Sequence, residues 1–263
     1  MILRGKSIVK GYAEGEVVAT TEKISFLEGI DPTTSQILQK CDVEGHRIEG
    51  KIFAFRGGRG STVGIYSIYG LKYYGKMPLG FITEYTDDIV VCGAALISIP
   101  YISSIPVEVL RTGDFVVLNA TDGYVEVKDV ILRKVVTSFL KKGDMIAIFR
   151  RSGKVSTYRG KWAGISGSVE SDESPEEAAL REIEEEVGIG RERLSLIKSG
   201  KPLYVRDGKT VWKVYPFLWE LKGCDEINID WEHSEYRWIK PEALKNYDTV
   251  PKLYETLRRV WSG

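Results

Sequence analysis

The stretch Gly167-Ser-Val-Glu-Ser-Asp-Glu173-Ser-Pro-Glu-Glu-Ala-Ala-Leu-Arg181-Glu-Ile-Glu-Glu-Glu-Val-Gly-Ile189 decides the second half of this 263-residue chain. Ser174-Pro175-Glu176-Glu177 opens a helix, with Ser174 as its cap, Pro175 at the first helical position and Glu177 closing a capping box. Gly188 is a natural stop, where a left-handed residue ends the last turn. Leu180, Ile183 and Val187 fall on one helical face and read as core. Glu182, Glu185 and Glu186 fall on another, at spacings of three and four, where like charges repel by about 0.2–0.5 kcal/mol per pair. Taken alone, three glutamates read as a solvated acidic face. A hard divalent cation such as Mg²⁺ would also resolve the repulsion, because it prefers carboxylate oxygens, water and substrate phosphates.

The wider spacing tips the reading toward the cation. Gly167, Glu173, Arg181, Glu182, Ile183, Glu185, Glu186, Gly188 and Ile189 form the signature Gly-x5-Glu-x7-Arg-Glu-U-x-Glu-Glu-x-Gly-U, with U apolar. This half resembles the Nudix hydrolases, which cleave a nucleoside diphosphate or another diphosphate linked to a further group. The resemblance implies an α/β/α sandwich and a site for Mg²⁺ or Mn²⁺ on Glu182, Glu185, Glu186 and the Gly167 carbonyl. Arg181 would orient the carboxylates, paired with Glu173. Arg151 and Trp162 sit where the family often approaches substrate. In Trp231-Glu-His-Ser-Glu-Tyr-Arg-Trp238, Glu235 is the candidate for a further metal ligand or base, and His233 reads as structural. ADP-ribose is the family's default substrate type. Isopentenyl diphosphate isomerases share the fold but use a catalytic cysteine and several histidines. With two histidines in the chain, hydrolysis is the better expectation.

The first half is written differently. Short β-branched and aromatic runs, Gly15-Glu-Val-Val-Ala-Thr-Thr21, Lys51-Ile-Phe-Ala-Phe55, Gly80-Phe-Ile-Thr83 and Asp114-Phe-Val-Val-Leu118, are punctuated by Gly, Pro and Asp, as strands are by turns. Asn119-Ala-Thr-Asp-Gly-Tyr-Val125 predicts a hairpin with a type I′ turn at Asp122-Gly123. Residues 89–107 carry no charge over a length near that of a membrane span, but Pro100, Pro106 and three serines argue for buried strands broken by turns. Met145-Ile-Ala-Ile-Phe149 opens the second half, and Thr249-Val-Pro251 leads into a C-terminal helix with Leu253, Leu257 and Val260 inward. The expected organisation is α+β in two domains, 1–130 and 144–263, joined by a connector at 131–143.

Arg56-Gly-Gly-Arg-Gly-Ser-Thr-Val-Gly64 follows an apolar strand, and such a loop by itself is usually only a turn. Its glycines would let backbone N–H groups approach an anion, with Arg59, Gly60, Ser61 and Thr62 gripping it. It is not a Walker loop, since no Gly-Lys-Ser/Thr follows at the right spacing. Around it stand Lys6-Ser-Ile-Val-Lys-Gly-Tyr-Ala-Glu-Gly-Glu16, Ile24-Ser-Phe-Leu-Glu-Gly-Ile-Asp-Pro32, Met77-Pro-Leu79 and Cys92-Gly-Ala-Ala-Leu-Ile-Ser-Ile-Pro100. In this order they resemble the small subunit of aconitase X type dehydratases, phosphomevalonate dehydratase among them. The resemblance implies a swivelling β/β/α domain that closes over a separate large subunit carrying iron–sulfur ligands. Ser61 would be the base or proton acceptor, with Arg59, Ser25 and Asp31 near substrate. The second serine of the family's loop is missing here, where Gly64-Ile65-Tyr66 stands instead.

Composition narrows the remainder. Lys plus Arg and Asp plus Glu are both 37, so net charge is zero, which argues against nucleic acid or a polybasic membrane anchor as partner. Cys41, Cys92 and Cys224 are too few and too scattered for a disulfide framework, and no iron–sulfur cluster is expected in this chain. The opening residues lack a signal-peptide core, so a cytoplasmic protein is expected. Its expected partner is a small-molecule diphosphate, and a homodimer is left open, since hydrolases of this type often pair. Three functions stand. The first is a metal-dependent diphosphate hydrolase. The second is a dehydratase small subunit whose Nudix half is accessory or acts on an isoprenoid diphosphate. The third is a non-catalytic ligand-binding fusion.

Overall fold

The computed structural model describes residues 1–223 and 227–261. The chain divides into two compact units, Met1–Ile131 and Leu132–Gly263. Cys224 lies outside the described residues; Cys41 and Cys92 are free thiols.

The first unit runs β1 (Ile2–Arg4), β2 (Lys6–Val9), β3 (Tyr12–Ala19), β4 (Lys23–Ser25), α1 (Phe26–Gly29), β5 (Ile52–Phe55), β6 (Gly57–Arg59), α2 (Gly64–Tyr73), β7 (Gly80–Thr83), α3 (Asp88–Ile97), β8 (Tyr101–Ser103), β9 (Phe115–Asn119) and β10 (Tyr124–Val127). Its 8-stranded sheet has the order β1-β10-β9-β3-β5-β7-β8-β2. The middle run β3-β5-β7-β8 is parallel, and its outer neighbours are antiparallel. Crossover helices α2 and α3 make the parallel run possible, because parallel neighbours need a long connection. Phe26, Phe53, Phe55 and Phe81 pack edge to face or tilted with ring centroids 4.6–6.5 Å apart, under the helices.

Two expectations for this unit are corrected. Residues 89–107 do not begin as a strand: Asp88–Ile97 is helical, started by Asp87, whose carboxylate accepts from the N–H groups of Ile89 and Val90. The apolar run masked a helix buried on one side, and the Asp-Asp cap ahead of it was the signal. The β9–β10 hairpin is real, but its loop has four residues rather than a two-residue type I′ turn. Asn119 organises that loop by accepting from the Asp122 N–H and donating to its carboxylate, while Gly123 alone takes the left-handed conformation (φ 72°).

The second unit continues with β11 (Ile131–Lys142), β12 (Met145–Arg151), β13 (Trp162–Ala163), α4 (Pro175–Val187), β14 (Leu194–Ser199), β15 (Leu203–Asp207), β16 (Thr210–Leu221), β17 (His233–Ile239) and α5 (Leu253–Val260). Its 7-stranded sheet runs β13-β12-β11-β16-β14, with β15 on β16 and β17 on β12. Residues 131–143, expected as a connector, are instead strand β11, with Val136, Phe139 and Leu140 fully buried. The basic residues scattered along it hid the strand pattern. The pleat sorts the sheet's apolar residues between two cores. Val136, Leu140, Ala147 and Phe149 pack beneath α4, and Phe139, Ile146 and Ile148 pack beneath α5. Helices on both faces make an α/β/α sandwich. The whole chain is α+β in two domains, and among the described residues no helix is long and apolar enough to cross a membrane.

Candidate active site

Helix α4 forms as its sequence requires. Ser174 Oγ accepts from the Glu177 N–H at 3.3 Å, Glu177 Oε2 accepts from the Ser174 N–H at 2.7 Å, Pro175 fills the first turn, and Gly188 (φ 69°) ends the helix. The preceding loop is sewn to β11: Val136 N–H donates to the Gly167 carbonyl at 2.9 Å, and Ser138 and Ile165 exchange two backbone bonds. These contacts bring Gly167 against the helix so closely that a Cβ there would overlap the Glu182 carboxylate outright. Only glycine fits.

Arg181 is the hub of the site. Its guanidinium donates to Glu173 at 2.8 Å, Glu182 at 2.7 Å, Glu185 at 3.2 Å and the Ser168 carbonyl at 3.0 Å. Glu173, held by Arg181 and the Glu170 N–H, stays ionised below its ordinary range. Glu182 is nearly buried, and burial pushes its carboxyl up despite the arginine. Glu185 is exposed.

Glu186 is the unusual member. It is 4% exposed, and its Oε2 has no hydrogen-bond partner. Burial, then the charges of Glu182, Glu232 and Asp230, drive its carboxyl well above the ordinary value; the Ser166 N–H opposes this weakly. His233 Nε2 stands 3.5 Å from Oε2, but burial lowers this imidazole to about 4, so it is neutral at pH 7 and cannot discharge the carboxylate. His233 Nδ1 is also without a partner, since Asp230 Oδ1 at 3.6 Å is beyond hydrogen-bond reach.

A hard cation fits these residues. Glu186 is buried with an orphaned oxygen, Glu182 sets its carboxylate against Gly167, and Asp230 and Glu232 add negative charge nearby. Among the described residues no three acidic, His or Cys side chains already stand as a cage, because Arg181 holds Glu182 and Glu185 to itself. When bound, Mg²⁺ or Mn²⁺ would neutralise a diphosphate and polarise water.

Two sequence candidates are not part of this site. Glu235 pairs on the surface with Arg150 at 3.3 Å and Arg237 at 3.5 Å. Strand alternation puts it there, and the β12–β17 register shift between Arg150 and Arg151 brings His233, two residues earlier, onto the opposite face. His233, Tyr236 and Trp238 therefore face α4, while Glu235 and Arg237 turn away. The carboxylate that acts electrostatically on Glu182 and Glu186 is instead Glu232, which sequence reading missed. A bulge has no signature in residue spacing; the pattern Asp230-Trp-Glu232 ahead of the strand was the available hint. Trp162 is a packing residue, 7% exposed, with Tyr247 edge-on at 5.2 Å and the Arg237 guanidinium over its ring at 5.1 Å. Arg151, in contrast, lines the cavity beside Gly167 and acts electrostatically on Glu232 and His233.

In the first unit, β4 and β6 pair in parallel and set Ser25 opposite Arg59. Gly60 (φ 100°) brings its backbone so near that a Cβ would stand 3.2 Å from Ser25 Oγ. Ser61 and Thr62 follow, both exposed, with Ser61 Oγ accepting from the Val63 N–H at 3.3 Å as α2 begins. Ser25, Arg59, Gly60, Ser61 and Thr62 thus share one rim. Asp31 does not join them: its carboxylate is taken by the hydroxyls of Thr33 and Thr34 in its own turn, which lowers its pKa.

Comparison with known proteins agrees with both halves. The Aconitase X swivel domain family matches residues 2–127, and the NUDIX domain family matches residues 132–260. The phosphomevalonate dehydratase small subunit of Thermococcus gammatolerans is 45% identical over 130 residues, which is 49% of this chain and 99% of that protein. Its Archaeoglobus fulgidus counterpart is 42% identical over 124 residues, 46% of this chain and 94% of that protein. Among solved structures, Thermococcus kodakaraensis aconitase X in its holo form is 41% identical, covering 48% of this chain and 98% of that one, with a TM-score of 0.47. A MutT protein from Methanosarcina mazei is 23% identical, covering 50% and 94%, with a TM-score of 0.43. The chain is a two-domain fusion: its first half belongs to the aconitase X swivel-domain family of phosphomevalonate dehydratase small subunits, and its second half is a Nudix domain.

Proposed function

We propose that the second unit is a divalent-cation-dependent hydrolase of a small-molecule diphosphate. The observation that carries this reading is the orphaned, buried Glu186 carboxylate beside Glu182 and the glycine cradle. A fold that invests a buried, unpaired negative charge destabilises itself unless something positive arrives. In this reading Glu182, Glu186, Glu185 and the Gly167 carbonyl hold Mg²⁺ or Mn²⁺, and Arg181 and Glu173 position them. Glu232 orients or accepts the proton of the attacking water, and Arg151 meets a phosphate. ADP-ribose is the default substrate type and an isoprenoid diphosphate the alternative. Purified chain with Mg²⁺ would be offered ADP-ribose, NADH, nucleotide sugars, nucleoside triphosphates and isopentenyl diphosphate, with products read by mass spectrometry. Cleavage of one compound, absent without cation, is expected; no cleavage of any would defeat the reading.

The same assignment separates two neighbouring glutamates. Glu232→Gln should lower kcat about 10²-fold or more, in the range for loss of general acid–base help. Glu235→Gln, breaking only an exposed ion pair, should change kcat less than about twofold and stability by under ~1 kcal/mol. Equal effects of the two would show that the strand and the segment ahead of it do not sort them as described.

A second activity is proposed for the first unit, as the small subunit of a dehydratase working with a separate large subunit. Two things favour it: the exposed Ser61 rim, and the face of α2 that follows it. Tyr66, Tyr69 and Tyr73 line that face, with Tyr66 and Tyr73 at 74% and 75% exposure. Aromatic residues at this density are what interface cores carry. Co-expressed with a phosphomevalonate dehydratase large subunit, the chain should co-elute as a complex that dehydrates phosphomevalonate. Tyr66→Ser with Tyr73→Ser should weaken the complex about 10-fold or more without lowering the melting temperature. Separate elution of the wild-type chains would refute the docking.

A further inference from the structure

A cavity of about 180 Å³ opens beside Gly167 and Ser168, on the loop that forms the cation cradle. Much of its wall is apolar: Val135, Val205, Val214, Val250 and Leu253 line it, and Trp212 adds a ring with the Arg133 guanidinium over it at 5.7 Å. Four of the wall's hydroxyls, on Thr137, Ser166, Thr256 and Tyr158, are engaged, and Thr157 and Ser168 add two further polar side chains. Thr137 Oγ1 and Ser166 Oγ bond each other at 3.0 Å, Thr256 Oγ1 donates to the Lys252 carbonyl at 2.8 Å, and Tyr158 Oη donates to Asp207 at 2.8 Å. Among the described residues, no Asp, Glu, Asn, Gln, Lys or His lines the cavity. The one charged side chain on it is Arg151, whose Nε donates to the Thr157 carbonyl at 3.0 Å.

A nucleobase has several ring nitrogens and exocyclic groups that need partners when water is removed. Burying them unpaired is costly, and a site that reads them presents amides or carboxylates. This cavity presents no side-chain amide or carboxylate. Aliphatic side chains and Arg151 line it together, and its Gly167 belongs to the loop of the cation cradle.

We infer that the largely apolar cavity beside Gly167 holds the hydrocarbon of a short branched-alkyl diphosphate, making this chain select an alkyl group over a nucleoside. The inference rests on the hydrolase reading and narrows it. In the reaction, water oxygen bonds to the terminal phosphorus as the bond from that phosphorus to the bridging oxygen breaks. The bridging oxygen keeps the electron pair, and the products are an alkyl monophosphate and orthophosphate, the protons of water passing to the phosphates and solvent. Buried methylenes give selectivity, since about two of them are worth roughly a tenfold difference.

The test uses the full chain with Mg²⁺ and four probes: isopentenyl diphosphate, geranyl diphosphate, ADP-ribose and inorganic diphosphate. Product formation and thermal stabilisation are measured for each. The wild type should favour isopentenyl or geranyl diphosphate over ADP-ribose by about 30-fold or more in kcat/KM. Val214→Thr, which nearly keeps shape but replaces a methyl on the wall by a hydroxyl, should cut that preference roughly 5–10-fold when assayed at a temperature where its melting curve shows it folded. Preference for ADP-ribose would overturn the inference while leaving the hydrolase reading intact. Selective stabilisation by an alkyl diphosphate, lost in Val214→Thr but without cleavage, would uphold the cavity and overturn the hydrolase. Equal stabilisation by all four probes, or by none, would overturn the inference.

Discussion

Replacing Glu186 by glutamine is expected to end turnover and, in the same protein, to raise the melting temperature measured without cation. The two effects share one cause. Glu186 is buried with an orphaned oxygen, among Glu182, Glu232 and Asp230. Glutamine keeps the shape and removes the charge, so the cation-free fold should gain about 1 kcal/mol or more, which is roughly 3–6 °C in a domain of this size. The charge is also what would bind the cation and stabilise the breaking P–O bond, a contribution of several kcal/mol, so kcat should fall about 10³-fold. Saturating Mg²⁺ should stabilise the wild type and not the variant.

The pH dependence has a definite sign. Folded Glu186 keeps its proton to higher pH than the unfolded chain does. Stability of the cation-free protein therefore falls as pH rises from about 4.5, the ordinary carboxyl value, through the raised one. His233 acts oppositely: its depressed value of about 4, against 6.5 unfolded, adds stability as pH rises between the two. The difference between Glu186→Gln and wild type isolates the glutamate, and it should widen with pH. A variant less stable than wild type at neutral pH without cation would show that Glu186 is partnered after all.

The second large effect is expected at Gly167. Alanine there places a methyl group on the Glu182 carboxylate. The Glu182 carboxylate must shift away from Arg181, and because the clash is with the end of a flexible side chain the stability cost should be about 1 kcal/mol, the low end for overpacking. Cation affinity should fall about 10–100-fold, the range seen when groups that position ligands are lost. Gly153→Ala is the control, because nothing stands within 4 Å of a Cβ there. Gly167→Ala with unaltered cation affinity would remove the cradle from the account.

Much of this was legible in the residues because the signals are local. The capping box at Ser174 and Glu177 and the stop at Gly188 follow from spacing along one helix, and the pairing of Arg181 with Glu173 follows from the resemblance that its motif carries. The two-domain, α+β organisation was legible too, from the change in texture between the halves. What the sequence hid is non-local. Strand alternation turns Glu235 away from α4, the register shift between Arg150 and Arg151 brings His233 to that face, and Glu232 acts on Glu186 from the segment ahead of the strand; no spacing rule encodes the shift. Burial turned Trp162 from a substrate contact into a core residue. Strand β11 passed for a connector because Arg133, Lys134, Lys141 and Lys142 flank its buried middle. The helix at Asp88–Ile97 passed for strands because an apolar run alone does not choose its period.

The central claim, a cation centre built on Glu182, Glu186 and the Gly167 carbonyl, is tested most directly by anomalous diffraction from crystals of the full chain grown with Mn²⁺. The account predicts a manganese peak bonded to Glu186 and Glu182 within reach of the Gly167 carbonyl, and no such peak in Glu186→Gln crystals. Manganese elsewhere, or none in a wild-type crystal at millimolar Mn²⁺, would contradict it.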